Sequence, residues 1–585
     1  MTITMAKSDG ILEHIIFLIR QSGTFADAND ECVRSLAKVV SWMTVPGGST
    51  LFSQGEPSTA MFITVNGLLG AYVRNGAGDV ILVGRIGPGG LIGEMGCVAG
   101  EPRSATIHAL RTSEVLKVSW EDIEPLARAH PALLFSLCRT VIGRMRGLVE
   151  GKPPQTKLRT LCLLPHGNNR EIQTFTDDLI AELKKLGPTF LVTKATCQDY
   201  LTDQLFALEA SHDYIVYLAD NTKTAWTRLC LQQADSVLIL AQGADAPQPI
   251  EPFADVVSSA ISTDLVLLWP GTIIPGKTGP WLDTLRPRAH YHVRSAHDVG
   301  RVARLLTGNG LGIVLSGGGA RGLAHVGVRR AFAEHDIAID AVVGTSIGAL
   351  VGASVAMEWD HLTSRARAHQ FSRKHPLLEL VLPRRSLLSG RNLRASLEEW
   401  YGDTEIEETP VRYACVSANL TTSGTNVHFR GKLKTWVLAS TSLPGIFPPV
   451  LEKGSLHIDG GVVNNLPTDI IRSMGVGFVV AVDVGQVSEQ GVASDVPGSG
   501  WMLPNIIEIL MRVATMGSDA RYISSRQQCE VLLNPNLLSV DLLDFRAYDR
   551  AMQIGYDCAI GKIGQIKNRI PDQVADAISP WISDS

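Results

Sequence analysis

Ala341-Val342-Val343-Gly344-Thr345-Ser346-Ile347-Gly348-Ala349-Leu350-Val351 is the stretch on which the reading of this chain turns. Ile339 to Val343 reads as a strand and the last residues of the stretch as an apolar helical run, with small residues between them. The uncharged run continues to Met357, and its 17 residues stand at the lower limit for crossing ~30 Å of hydrocarbon. Five of the 17 are Gly or Ser, so the expected structure is a buried strand, a tight turn and a buried helix.

The same rhythm occurs just upstream. Leu311-Gly312-Ile313-Val314-Leu315 reads as a short buried strand, and a helix is expected from about Leu323 to Glu334. Between them lies Ser316-Gly317-Gly318-Gly319-Ala320-Arg321-Gly322, whose glycines let backbone N–H groups approach an anion at the positive end of that helix. Successive strand–turn–helix units imply an α/β domain over 311–485. A Gly/Ser-rich loop, Gln486 to Gly500, then opens a 486–585 loop and helical extension.

Gly344-Thr345-Ser346-Ile347-Gly348 fits the GxSxG elbow that projects a nucleophilic serine from a strained strand-to-helix turn. A serine needs a base near neutral pH. The order Ser…Asp/Glu…His is not met by the strongest acid motif, Ile458-Asp459-Gly460-Gly461, because the last histidine, His457, precedes it. A triad drawing on Asp360 with His428 or His457 is the alternative.

A GGGxRG loop, GTSIG and DGG in this order, without a distal histidine, resemble the patatin-like phospholipase family, as does Ala439-Ser440-Thr441-Ser442-Leu443-Pro444-Gly445-Ile446-Phe447-Pro448-Pro449. The resemblance implies a Ser–Asp dyad, with Asp459 taking the proton of Ser346. It implies an oxyanion hole in the loop Gly317, Gly318, Gly319, Ala320, Arg321 and Gly322, and lipid esters as substrate. Gly344, Thr345, Ile347 and Gly348 form the elbow. In the same domain, Arg384, Arg385, Arg391 and Arg394 suit anionic head groups, although such a cluster is more often a solvated face.

Residues 1–24 read as an amphipathic lead-in, and 25–150 carry short glycine-punctuated apolar runs, a β-barrel or jelly-roll rhythm closing in a helix near Pro131 to Val149. Inside it, Ile92-Gly93-Glu94-Met95-Gly96 and Gly100-Glu101-Pro102-Arg103-Ser104-Ala105 resemble the phosphate-binding cassette of cyclic nucleotide-binding domains, with Gly55-Glu56 upstream. The resemblance gives Arg103 the cyclic phosphate of cAMP or cGMP, assisted by Ser104 and the backbone near Gly93, and gives Glu94 the ribose hydroxyl. Residues 155–308 alternate strands and helices; the region is read as an α/β spacer or coupling domain without nucleotide chemistry. The whole layout resembles bacterial members of the neuropathy target esterase family.

A net charge of −5 provides no global attraction to nucleic acid. Nine scattered cysteines form no CxxC pair, so no metal site or disulfide framework is expected, and a reducing cytoplasm fits best. Asp9, Glu13 and Arg20 interrupt the N-terminal apolar stretch, so neither signal peptide nor spanning helix is expected and membrane contact is peripheral. The competing reading is a cyclic-nucleotide-responsive effector whose patatin domain is an interaction scaffold. A transcription regulator would need a helix-turn-helix after the barrel, where Pro153-Pro154 and an α/β pattern stand instead.

Overall fold

The structure is a computed structural model that describes residues 2–3, 9–22, 24–25, 28–74, 80–149, 158–167, 170–197, 208–209, 211–249, 262–373, 379–382, 384–485 and 519–570. The loop 486–500 and the Pro153-Pro154 linker lie outside these residues. The chain forms two units, 1–241 with 248–266 and 242–247 with 267–585.

The first unit opens with helices Asp9–Gln21 and Asp30–Val39, then folds into a five-stranded and a four-stranded sheet. The second helix, capped by the Asn29 side chain on Cys32 N, falls where the sequence rhythm suggested only β structure. Period-2 alternation explains the two cores. From strand Ala60–Asn66, Phe62 enters a cluster with Phe52, Leu69, Ile107 and Val115, while Met61 and Ile63 turn to the helices with Leu116, Val118 and Leu137. Helices Trp120–Ala129 and Pro131–Val149 close this part.

Four parallel strands follow in the order Thr189–Val192, Tyr214–Leu218, Thr160–His166, Ser236–Gln242, with helices Arg170–Leu186 and Ala225–Gln233 in the connections. Burial on both faces explains why these strands read as continuous apolar runs. Within this unit Arg111, from the barrel, is 1% exposed and sits between Glu209 (2.8 Å) and Asp235 (2.8 Å). The two carboxylates hold its guanidinium charged. Arg111→Ala would bury both without a counter-ion, so a loss of roughly 3–5 kcal/mol is expected in denaturant unfolding, against a small change for exposed Arg128→Ala.

In the second unit one sheet runs Val450–Glu452, Ser455–Asp459, Arg412–Asn419, Ala341–Thr345, Leu311–Leu315, Phe478–Val482, Val531–Leu533, with Gly424–His428 paired to Arg412–Asn419. The five strands from Arg412–Asn419 to Val531–Leu533 are parallel. The last belongs to the stretch read as a helical extension, and that stretch is built into the same core: Val531, Leu533 and Val540 pack with Leu311 and Val480. Helix Tyr548–Ile560 likewise lies on helix Ala324–Glu334, where a Cβ at Gly327 would meet Met552 O at 1.8 Å. Because Leu311–Leu315 and Ala341–Thr345 are parallel neighbours, their carboxyl ends open at one edge of the sheet.

Candidate active site and sensor cassette

Ser346 follows the strand Ala341–Thr345 and begins the helix Ile347–Ala356 with φ 56° and ψ −127°. A residue with a side chain is strained there, as a nucleophile elbow requires. The flanking glycines are needed for space: a Cβ at Gly344 would meet Gly348 O at 2.2 Å, and one at Gly348 would meet Leu315 O at 2.1 Å. Thr345 Oγ1 donates to Asn464 O (2.9 Å), and Ser346 N donates to Ser440 Oγ (3.0 Å).

Sheet register brings Asp459 to this turn. Thr345 pairs with Val416 across one strand boundary, and the next residue, Ser417, pairs with Asp459 across the other. Ser346 Oγ donates to Asp459 Oδ2 at 2.6 Å, and Gly461 N donates to Asp459 Oδ1 at 2.7 Å. A Cβ at Gly460 would meet Val416 O at 2.3 Å, which accounts for the first glycine of the DGG motif. Asp459 is 1% exposed, and burial pushes its carboxyl up to about 7 against the opposing pull of those two hydrogen bonds.

The residues of the triad alternative are engaged with groups other than Ser346. Asp360 accepts from Thr363 N at 2.6 Å at the start of helix His361–Arg373. His428 Nε2 and His457 Nδ1 both bond Ser417 Oγ, at 2.7 and 3.0 Å. The His428 ring stacks on Trp436, and burial pushes its pKa down to about 3.

The glycine loop lies against the nucleophile, since a Cβ at Gly317 would come within 3.0 Å of Ser346 Cβ. Its six residues are not equivalent. Gly317 N donates to Asn465 Oδ1 (3.1 Å), Ala320 N to Leu542 O (2.8 Å) and Arg321 N to Gly318 O (3.2 Å). Arg321 Nε donates to Val540 O, so its side chain anchors the loop to the C-terminal segment. The N–H groups of Gly318 and Gly319 make no such bond among the described residues. Ser440 and Asn465 escaped the sequence reading, although both stand in or beside motifs it quoted.

In the barrel, Gly55 N donates to Arg103 O (2.9 Å) and Arg103 N to Glu56 O (2.8 Å), which ties the cassette to the upstream Gly-Glu pair. Arg103 is 5% exposed; its Nη1 donates to Gly93 O (3.1 Å), its Nη2 to Ala60 O (2.8 Å), and its guanidinium lies 4.0 Å over the Phe52 ring. Nε is buried without an acceptor. Glu94 is 1% exposed at the start of helix Glu94–Ala99, and Ser104 is exposed. The cassette thus holds a buried guanidinium and a buried carboxylate, with both terminal guanidinium nitrogens spent on backbone carbonyls.

The spacer reading rests on the absence of a GxxxxGK[ST] loop, and the sequence corrects it. Gly271-Thr272-Ile273-Ile274-Pro275-Gly276-Lys277-Thr278 fits G-x-x-x-x-G-K-[ST] and stands between strand Ser262–Leu268 and helix Thr278–Leu285. Its cradle already holds a carboxylate of the same chain: Glu408 Oε1 accepts from Gly276 N, and Glu405 Oε2 comes within 4.0 Å of a Cβ at Gly279. The Arg430 guanidinium stands as near, 3.9 Å from a Cβ at Gly279, so Gly276 N is engaged by a carboxylate while a cation flanks the same helix start.

Family profiles match three parts of the chain: a cyclic nucleotide-binding domain over 42–130, a neuropathy target esterase family P-loop-like domain over 157–305 and a patatin-like phospholipase over 313–472. Patatin-like phospholipase domain-containing protein 6 of Mus musculus is 30% identical over 614 residues, covering 90% of this chain and 45% of that protein. Lysophospholipase NTE1 of Coccidioides immitis is 28% identical over 638 residues, covering 90% and 40%. Among solved structures, the regulatory domain of Toxoplasma gondii PKA with cAMP is 19% identical over 20% of this chain and 46% of that chain, with a TM-score of 0.20, too low to bear on the fold.

The three domains define a multidomain protein in which a patatin-like phospholipase fold shares a chain with a cyclic nucleotide-binding fold. With the P-loop-like domain between them, the chain carries the domain series of a neuropathy target esterase family protein. It spans about 45% of the length of the first curated relatives it matches.

Proposed function

We propose that the chain hydrolyses carboxylic esters of lysophospholipids or phospholipids through Ser346 and Asp459, under the influence of a cyclic nucleotide bound near Arg103. The observation that carries the chemistry is the 2.6 Å bond from Ser346 Oγ to a buried carboxylate whose pKa lies near neutrality. Ser346 Oγ attacks the ester carbonyl carbon as its proton passes to Asp459 Oδ2. The N–H groups of Gly318 and Gly319 are the donors left over for the tetrahedral oxyanion. Collapse of the tetrahedral intermediate breaks the bond to the alcohol oxygen, which takes the proton from Asp459. A water then attacks the acyl-serine, giving its proton to Asp459; release of the fatty acid returns that proton to Ser346. No metal enters this scheme, and among the described residues no helix is long and apolar enough to cross a membrane.

A hydrolysis panel of lysophospholipids, phospholipids and triacylglycerols, with and without cAMP or cGMP, tests the reading; lysophospholipids or phospholipids are expected to turn over. Below its pKa of about 7, Asp459 carries a proton and cannot accept that of Ser346. We therefore expect kcat/KM to fall about tenfold per pH unit below pH 7 and to level off above it. A flat profile from pH 5 to pH 8 would assign the base to another group.

A further inference from the structure

We propose that the hairpin around Leu380–Leu382 and Arg384–Arg385 is the element by which the patatin domain docks on an anionic phospholipid bilayer. The proposal deepens the lipid-esterase reading and rests on it for the choice of a bilayer as occupant.

Leu380 and Leu388 form an antiparallel bridge, with Val381 N donating to Leu387 O (3.1 Å) and Ser389 N to Glu379 O (3.0 Å). The base is held firmly. Glu379 accepts from Arg391 N (2.8 Å) and Asn392 N (2.7 Å), capping helix Arg391–Tyr401. What this framework presents is apolar: Leu380 is 77% exposed, Leu382 72% and Val381 37%. A single exposed leucine is ordinary, but three consecutive apolar side chains on a braced hairpin are a standing cost in water.

Charge beside them selects the occupant. Arg384 and Arg385 are exposed, and neither guanidinium has a carboxylate partner among the described residues. Arg391 and Arg394, at the start of the next helix, are likewise exposed, whereas exposed Arg365 and Arg430 are paired, with Asp549 and Asp283. Apolar residues that enter the acyl boundary, with free cations at phosphate depth, match an anionic membrane surface. The hairpin also leads to the nucleophile. Leu387 N donates to Gly445 O and Leu388 N to Ile446 O, both at 2.9 Å. That acceptor segment follows Ser440, the last residue of helix Leu433–Ser440, whose hydroxyl accepts from Ser346 N, and Ser442 O accepts from Asp459 N. A lipid drawn from a docked bilayer would therefore have a short path to Ser346.

The test uses the full chain. Sedimentation with phosphatidylcholine vesicles, with and without phosphatidylglycerol, measures binding in a Ser346→Ala background, and hydrolysis of a monomeric short-chain ester measures the active site in otherwise wild-type protein. We expect phosphatidylglycerol to tighten binding. Arg384→Glu with Arg385→Glu should remove that advantage, and Leu380→Asp with Leu382→Asp should weaken binding to both vesicles by roughly 10- to 100-fold. Both pairs should hydrolyse the monomeric ester at the unsubstituted rate. Binding unchanged in either pair overturns the proposal. So does loss of monomeric-ester hydrolysis, which would make the hairpin part of the catalytic framework, or a fall in oligomeric state on leucine replacement, which would make it an interface between copies. If the unsubstituted chain hydrolyses no ester yet binds vesicles through the hairpin, the esterase reading fails and the docking surface stands.

Discussion

Ser346→Ala and Asp459→Asn are each expected to lower kcat on the preferred lipid by at least ~10⁴-fold, with the double variant little worse than either single one. Both residues act on one proton, so removing either disables the same step. Alanine at 346 leaves the backbone at φ 56° and removes only the oxygen. Asparagine at 459 can still accept from Gly461 N through its carbonyl oxygen, but its amide faces Ser346 as a donor and takes up no proton. Stability separates this from unfolding, and its sign follows from the raised pKa of Asp459. The folded state favours the protonated acid, so wild-type stability is fully present below the unfolded pKa near 4 and declines as pH rises towards 7. Asp459→Asn should therefore be more stable than wild type at pH 8, by up to a few kcal/mol, and the difference should shrink at pH 4. An inactive variant that is also more stable at pH 8 is the combined signature, read by turnover and denaturant unfolding. Near wild-type turnover of Asp459→Asn would remove it from the proposed mechanism.

The second large effect is expected at the sensor. Arg103→Ala should weaken cyclic nucleotide binding by about 100-fold or more, and Arg103→Lys substantially, because only the guanidinium fork makes two charge-assisted bonds to one phosphate. In the structure that fork is spent on Ala60 O and Gly93 O. A ligand must outbid two carbonyl bonds, which favours the doubly engaged arginine over a point charge. Isothermal calorimetry with cAMP and cGMP measures the affinity, and thermal unfolding of the ligand-free variants separates lost binding from a loosened barrel. Should neither nucleotide bind the wild-type chain at high micromolar concentration, Arg103 is a structural residue that ties the cassette to strand Ala60–Asn66. Binding that leaves hydrolysis of every lipid in the panel unchanged would detach the sensor from the active site, since regulation requires different affinities for the more and less active states.

Much of this was legible from local sequence. Runs such as Leu311–Leu315 and Ala341–Thr345 contain almost nothing but strand-forming or small apolar residues, which only a sheet covered on both faces accommodates. Gly344 and Gly348 announce the elbow because the backbone there has no room for a Cβ. The helix Asp30–Val39 was less legible, since a short amphipathic stretch with an acidic start resembles the turn-rich sequence around it. The Gly271–Thr278 match was passed over altogether, and its meaning hangs on Glu408, which is distant in sequence.

The sequence by itself determined which turns and elements form, because glycine tolerance, capping and apolar periodicity act within a few residues of their cause. Only the tertiary structure decided which groups meet. Ser346 and Asp459 are 113 positions apart, and a two-strand register brings them within 2.6 Å while Asp360 caps a helix elsewhere. Folding likewise occupied Gly317 N, Ala320 N and both terminal nitrogens of Arg103 with acceptors supplied from other segments. The physical reason is that a buried polar group takes whichever partner the packed chain brings within reach, and desolvation then sets its strength, as it raises the carboxyl of Asp459 towards 7.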